Sequence, residues 1–249
     1  MAFFTPSPRF VFGGAQKLKD WLYKLGEIHK INQKDSGVFA ADNLITFGRI
    51  TGFLEEEKFA TIASKIFFSD DLHASIIWRI HVLAWAVEHC KHLDGDMIEF
   101  GCYDAKVAEF LIEYTNLDQA NKKLYLYDIF DDPPTEKGPM HSPELYNEVV
   151  ERLSKYSNIN VEKGLLPNSF DHKKFDKLSF VHMDLNSAET EMSLLELFFD
   201  KIVPGGILIL DDFGQSAYKE QHIQETDFFN KIDYSVVEIP TGQGMVFKR

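Results

Sequence analysis

From Asp71 onward the chain alternates between two hydrophobic rhythms. Ile76, Ile80, Leu83 and Val87 recur at helical spacing and predict a helix that stops near His92 to Gly95, ahead of the short apolar run MIEF. MIEF predicts a strand. After it, Asp104 is placed to cap a helix on which Val107, Phe110, Leu111 and Tyr114 follow the i, i+3, i+4, i+7 pattern. Strands are then predicted in KLYLYD, INVEKG, LSFVHMD and GILILDD, with helices in PELYNEVVERLSKY and SAETEMSLLELFFDKI. Strands separated by helices build a parallel sheet with helices on both faces, and a run as continuously apolar as ILIL suits a strand covered on both sides. YSVVEI and GMVFKR flank a Pro-Thr-Gly-Gln turn, which predicts a hairpin adding an antiparallel strand at the end of the sheet. The fold class is α/β. An open sheet of this kind binds ligands at the carboxyl ends of its strands, where the strand order reverses.

That rim is acidic. Glu99 lies in MIEFG, Asp128 ends LYLYD, Asp184 ends VHMD, and Asp211 and Asp212 end ILILDD. A lone Asp after a strand often caps a helix or makes an Asx-turn, and for Asp128 that reading stands level with a functional one. For Asp184, Asp211 and Asp212 together it is weaker, because gathered carboxylates repel and raise one another's pKa unless a cation or donors offset them. No basic residue lies near them in sequence. A hard divalent ion such as Mg2+ takes such oxygen ligands while keeping open positions for water or substrate, although Arg49 or a lysine from elsewhere would also offset the charge.

Composition narrows the picture. At 249 residues and 45% apolar content the chain holds one domain, residues 71–249, plus an N-terminal extension, residues 1–70, expected to serve as a lid or an oligomer contact. A formal net charge of −13 excludes binding modes that neutralise many phosphates, so neither nucleic acid nor an anionic membrane is an expected partner. Cys90 and Cys102 show neither CxxC nor Cys/His spacing, so no disulfide framework or zinc site is indicated. MAFFTPSPRF lacks a basic segment followed by a long apolar one, and no stretch approaches the roughly 18 apolar residues of a membrane span. A soluble, cytoplasmic homo-oligomer acting on a small molecule is the expectation.

DMIEFGCYDAKVAEFL resembles the first motif of class I S-adenosylmethionine-dependent methyltransferases, in which an acidic residue and a glycine-containing loop join strand one to a helix. In the pattern E-x-G-x-x-x-G, Glu99 and Gly101 match, while Ala105 replaces the last glycine. No G-x-G-x-x-G follows the first strand, which counts against a nicotinamide cofactor. Further stretches resemble the macrocin O-methyltransferase-like family of metal-dependent sugar O-methyltransferases. YDIFDDPP is similar to that family's D-x-F-x-G-x-P, and VEKGLLPNSF to its G-x-x-x-x-T-L. HMDLNSAETEMSLLELFFDKIVPGGILILDDFG is similar to H-x-D-x-D-x-Y, a helix, P-G-G and D-D-Y-G. The resemblance runs from about Asp71 to the C-terminus, whereas the first 45 residues carry no recognisable motif.

The resemblance implies a Rossmann-like methyltransferase sheet, mostly parallel, with an antiparallel C-terminal strand. It implies that Glu99, Gly101 and the backbone of Cys102 and Tyr103 hold the methionine part of S-adenosylmethionine, that Asp128 accepts the ribose hydroxyls, and that Gly164 also borders the cofactor. It implies that Asp184, Asp211 and Asp212 coordinate a divalent ion, Mg2+ or a relative. The expected reaction is methylation of a sugar hydroxyl, with Asp184 the first candidate for base or orienting group and His141, in a Pro- and Gly-rich loop, the second. A catechol- or caffeoyl-type methyltransferase is the enzyme alternative, although its last ligand pair is more typically Asp-Asn than Asp211-Asp212. A non-catalytic cofactor-binding partner protein is the other. The departures are Asn186 for a second Asp, Ser187 for Tyr and Phe213 for Tyr. With Glu189 three residues on, Asn186 reads as the N-cap of the next helix. His182, two residues before Asp184, reads as an interior hydrogen-bonded histidine rather than a base. Phe12, Phe39, Phe47 and Phe53 are read as either closing over the site or forming a subunit contact.

Overall fold

The structure, a computed structural model, describes residues 2–9, 31–68, 70–130 and 142–249. The chain divides into two compact units, Met1–Val82 and Leu83–Arg249, and the helix Ile77–Cys90 spans the division.

The first unit contains an antiparallel hairpin of β1 (Val38–Ala41) and β2 (Leu44–Phe47), then helices α1 (Glu57–Ile66) and α2 (Asp71–Ser75). Its interior is aromatic: Phe39 meets Trp78 edge to face at 4.8 Å, and Phe53 stacks on His81 at 4.3 Å. Phe39 is thus a core residue, whereas Phe47 is 69% exposed and Phe12 lies outside the described residues. A buried ion pair joins Arg79 Nη2 to Asp42 Oδ1 at 2.8 Å. The single helix read from Asp71 is two. Asp70 caps α2 through the N–H groups of Leu72 and His73, Ile76 leaves helical geometry, and α3 (Ile77–Cys90) starts afresh.

The second unit is the α/β sheet. Its strands are β3 (Asp96–Phe100), β4 (Leu124–Asp128), β5 (Ile159–Lys163), β6 (Leu178–Met183), β7 (Ile202–Leu210), β8 (Val237–Glu238) and β9 (Gly244–Phe247). They lie in the order β5-β4-β3-β6-β7-β9-β8. The first five in that order pair in parallel, while β9 runs antiparallel to β7 and β8 antiparallel to β9. Every residue of β6 is buried, as are Ile207 to Leu210 of β7, because helices cover both faces of the sheet. The core between sheet and helices is aromatic as well, with Phe100 edge-on to Phe170 at 5.0 Å and Phe170 stacked on Phe175 at 5.6 Å. The connecting helices are α4 (Lys106–Thr115), α5 (Pro143–Leu153), α6 (Ala188–Phe198) and α7 (Lys219–Lys231). Among the described residues no helix is long and apolar enough to cross a membrane.

Chain order reverses between β3 and β6, which places the switch point beside the loop that leaves β3. Gly101, the first residue of this loop, has φ +88, and a Cβ there would lie 1.8 Å from the Asp184 carbonyl oxygen. Glycine is therefore required for β3 and β6 to meet, independently of any ligand. Ala105 has φ +53, in the left-handed region that glycine enters freely and alanine at a cost of about 1–2 kcal/mol.

Gly101→Ala and Ala105→Gly should therefore shift stability in opposite directions. The first should destabilise by about 2 kcal/mol or more, roughly 4–8 °C in Tm, since neither the backbone angle nor the carbonyl can accommodate a methyl group. The second should raise Tm by relieving local strain. Thermal unfolding of both variants measures the two signs.

Candidate functional site

The site grows from the ends of four strands. Between β3 and α4 the loop is fixed by backbone bonds from the N–H groups of Gly101 and Cys102 to the Tyr127 carbonyl, at 2.8 and 3.3 Å. Next, Tyr103 N–H donates to Asp128 Oδ2 at 2.7 Å, and Asp128 Oδ1 accepts from Phe130 N–H at 3.0 Å. The second of these bonds is an Asx-turn, so the structural reading of Asp128 holds, and its carboxylate also shapes the loop opposite. The N–H groups of Gly101, Cys102 and Tyr103 are thus engaged within the protein. Cys102 is buried, and burial followed by the charges of Asp128 and Glu99 pushes its thiol well above the usual range, which keeps it unreactive. The helix start differs from expectation by one residue: Ala105 is the N-cap, while Asp104 Oδ1 accepts from Lys106 N–H at 3.0 Å. Gly164 follows β5 and donates its N–H to the Asp128 carbonyl at 3.0 Å, next to the same loop region.

On the other side of the switch point, buried side chains form a continuous line across the sheet. Register pairs Glu99 with His182, and His182 Nδ1 lies 2.9 Å from Glu99 Oε1. The opposite ring nitrogen, Nε2, is 3.5 Å from Asp211 Oδ1, which also accepts from Gln243 Nε2 at 2.9 Å. Gln243 Oε1 in turn accepts from Thr241 Oγ1 at 2.9 Å. Burial alone would lower the His182 pKa, but the hydrogen bonds and charges of Asp211 and Glu99 outweigh it and push it up to about 10. His182 is an interior, charged histidine between two carboxylates, in agreement with its reading as a structural rather than basic group. It also supplies the counter-charge that sequence reasoning looked for in Arg49 or a lysine. The role of Gln243 was not anticipated, because PTGQGM carries only a turn signal and nothing in it marks a side chain returning to β7.

Asp184 and Asp211 are the first residues beyond two neighbouring strands, β6 and β7. The Asp184 N–H donates to the Phe100 carbonyl at 2.8 Å and that of Asp211 to the Met183 carbonyl at 2.9 Å, which sets both at the same rim beside Gly101. Asp212 follows and is 2% exposed. Beyond Asp184 the chain departs from expectation. Asn186 is not the N-cap of α6: it sits at φ +54, and Ser187 Oγ caps the helix by accepting from Thr190 N–H at 3.4 Å. The reach-back to the loop comes from Glu191 rather than Glu189, with Glu191 Oε1 accepting from Leu185 N–H at 3.1 Å. His141 lies outside the described residues.

Comparison with known proteins gives a consistent result. Residues 78–249, more than half of the chain, match the family described as Macrocin-O-methyltransferase (TylF). No curated protein matches in sequence. Among solved structures, the O-methyltransferase NovP is 18% identical, with 69% of this chain and 80% of that one covered at a TM-score of 0.57. The calicheamicin methyltransferase CalS11 is 11% identical, with 96% and 95% covered at a TM-score of 0.58. The Podospora anserina methyltransferase PaMTH1 is 12% identical, with 97% and 99% covered at a TM-score of 0.55. At these identities the likeness concerns the fold, which is that of the Rossmann-like class I methyltransferases. With the family match over the whole sheet and an acidic rim at its switch point, the chain belongs to the macrocin O-methyltransferase (TylF) family of S-adenosylmethionine-dependent methyltransferases.

Proposed function

We propose that this methyltransferase acts on a hydroxyl of a sugar, free, glycosidic or nucleotide-linked, with Asp184, Asp211 and Asp212 holding a divalent ion beside the acceptor. The observation that carries the reading is the emergence of Asp184 and of Asp211-Asp212 from neighbouring strands at the carboxyl rim, directly next to the loop after β3. Carboxylate oxygens in this number suit a hard ion such as Mg2+, which would stabilise a developing alkoxide as a Lewis acid. S-adenosylmethionine supplies an electrophilic methyl group on a sulfonium. Glu99, Gly101, the backbone of Cys102 and Tyr103, and Gly164 would border the donor. Asp128, held in place by two backbone N–H groups, would accept the ribose hydroxyls with its remaining lone pairs.

Asp184 is best placed in sequence and strand position to orient the acceptor hydroxyl or to take its proton, with His141 the second candidate. Holding the hydroxyl in line with the sulfonium converts an encounter into an oriented transfer, which is where most of this site's rate advantage would arise. The Asp211-Asp212 pair favours a sugar over a catechol acceptor. CalS11, whose fold this chain shares, is described as a TDP-rhamnose 3'-O-methyltransferase, which makes nucleotide-linked sugars the first acceptors to screen.

Two measurements check the reading. Asp128→Asn should weaken S-adenosylmethionine binding by about 1.5–3 kcal/mol, the usual worth of a charge-assisted hydrogen bond, in calorimetric titration of a variant whose Tm is measured in parallel. Unchanged affinity would remove Asp128 from the cofactor site. Chelation by EDTA should abolish transfer to sugar acceptors, with Mg2+ or Mn2+ restoring it and donor affinity surviving. Asp184→Asn and Asp211→Asn should behave like the chelated enzyme. Full transfer in EDTA, or in both variants, would make the carboxylates structural, and transfer to catechols alone would replace the sugar reading.

A further inference from the structure

Helices α6 and α7 pack against each other, and each contributes a glutamate with no exposed surface, Glu191 and Glu225. Glu191 Oε1 accepts from Leu185 N–H at 3.1 Å, whereas Glu191 Oε2 and both carboxyl oxygens of Glu225 have no donor among the described residues. The amide of Gln221, one turn before Glu225, is likewise unengaged and does not donate to the pair. No lysine, arginine or histidine pairs with either glutamate among the described residues.

Two buried carboxyl groups without a cation cannot both be ionised. A single proton between them replaces repulsion with a charge-assisted O–H···O bond, among the strongest hydrogen bonds proteins make. The electrostatics agree. Burial, then the hydrogen bond and charge of Glu225, raise Glu191 well above the carboxylate range; the Leu185 N–H opposes this and the charge of Asp211 adds to it. Burial pushes Glu225 up to about 7, with the Glu191 bond acting against the shift and the charge of Asp212 acting with it.

The pair is joined to the rim by one residue. Leu185 directly follows Asp184, and the segment from Asp184 to Ser187 is fixed by the Asp184 N–H on Phe100, the Leu185 N–H on Glu191 and the Ser187 cap. We propose that Glu191 and Glu225 are positioning residues: a carboxyl pair sharing one proton, which holds the Leu185 N–H and thereby fixes Asp184 for its role at the acceptor. This rests on the reading in which Asp184 contributes to a divalent-ion site. Glu191 carries the proton on Oε2 and donates it to Glu225, which keeps Oε1 aimed at Leu185; without that acceptor, the buried Glu191 would turn toward water and release the loop.

The test uses the full chain, with Mn2+ as the probe. Glu225→Leu should lower Mn2+ affinity at least about tenfold, the usual consequence of losing an outer partner of a metal site, while S-adenosylmethionine affinity stays at the wild-type value. Glu225→Gln, which keeps a side-chain acceptor at the same place, should restore Mn2+ affinity. A general packing defect would instead weaken both ligands together and would not separate leucine from glutamine. Infrared spectra at neutral pH provide a readout that needs no metal: a protonated-carboxyl band should be present in the wild type and absent in Glu191→Gln. Absence of the band in the wild type overturns the pair, as does Glu225→Leu with wild-type Mn2+ affinity or Glu225→Gln as weak as Glu225→Leu. Wild-type protein that shows the band but binds no Mn2+ overturns the metal assignment of Asp184, and the positioning role with it, while the pair stands.

Discussion

The side-chain line Glu99–His182–Asp211–Gln243 crosses the sheet from β3 to the start of β9, and the rest of the site depends on it. Each member is at most 6% exposed, so each charge must find its partner inside the protein. An imidazolium between two carboxylates achieves this only if β3, β6 and β7 hold the observed register, since a slip of one residue would turn His182 to the opposite face. Leaving one such buried charge unpaired costs about 3–5 kcal/mol, a large fraction of a domain's stability. The register of the central strands and the placement of the acidic rim are therefore one requirement.

From this line the rim's carboxylates divide by the way their charge is compensated. Glu99 and Asp211 share a histidine cation. Asp128 is held by the N–H groups of Tyr103 and Phe130, and so determines the course of the loop after β3. Glu191 and Glu225 lie behind the rim with neither cation nor enough donors. A count of acidic residues at strand ends cannot distinguish these cases. The distinction comes from neighbours far apart in sequence, such as Gln243 on Asp211 and Glu191 on Leu185.

The central strands β6 and β7 were legible because both of their faces are covered, which turns burial into long apolar stretches such as ILIL. The helix α7 was not. Its buried positions are Gln221, Glu225 and Phe229, so two of the three residues on the inward face are polar and the hydrophobic period disappears. The hairpin at the chain's end was legible in kind but not in extent, since β8 is two exposed residues at a sheet edge, where little burial shapes the sequence. Asn186 was misread because Asn serves equally at an N-cap and in left-handed geometry, and only the neighbouring Ser187 decides between the two. Gly101 was read as part of the donor's site, whereas the structure shows that the Asp184 carbonyl already requires a glycine there.

The sign of the charge at this rim bears on turnover as well as on binding. The donor of a methyltransferase enters with a sulfonium cation and leaves as a neutral thioether, so carboxylates at the rim hold the one more strongly than the other. A chain with net charge −13 extends this preference beyond the contact residues, because the whole field attracts cations and is indifferent to the neutral product. Binding energy that is lost when the methyl group leaves does not have to be overcome at product release. In the proposed reading the same field would disfavour a nucleotide-linked sugar, whose diphosphate is anionic, unless a local cation offsets it. A divalent ion at Asp184, Asp211 and Asp212 would cancel two of their three negative charges and present its own open position to oxygen, so that one acidic rim would accept a cationic donor and an acceptor that is electron-rich or anionic.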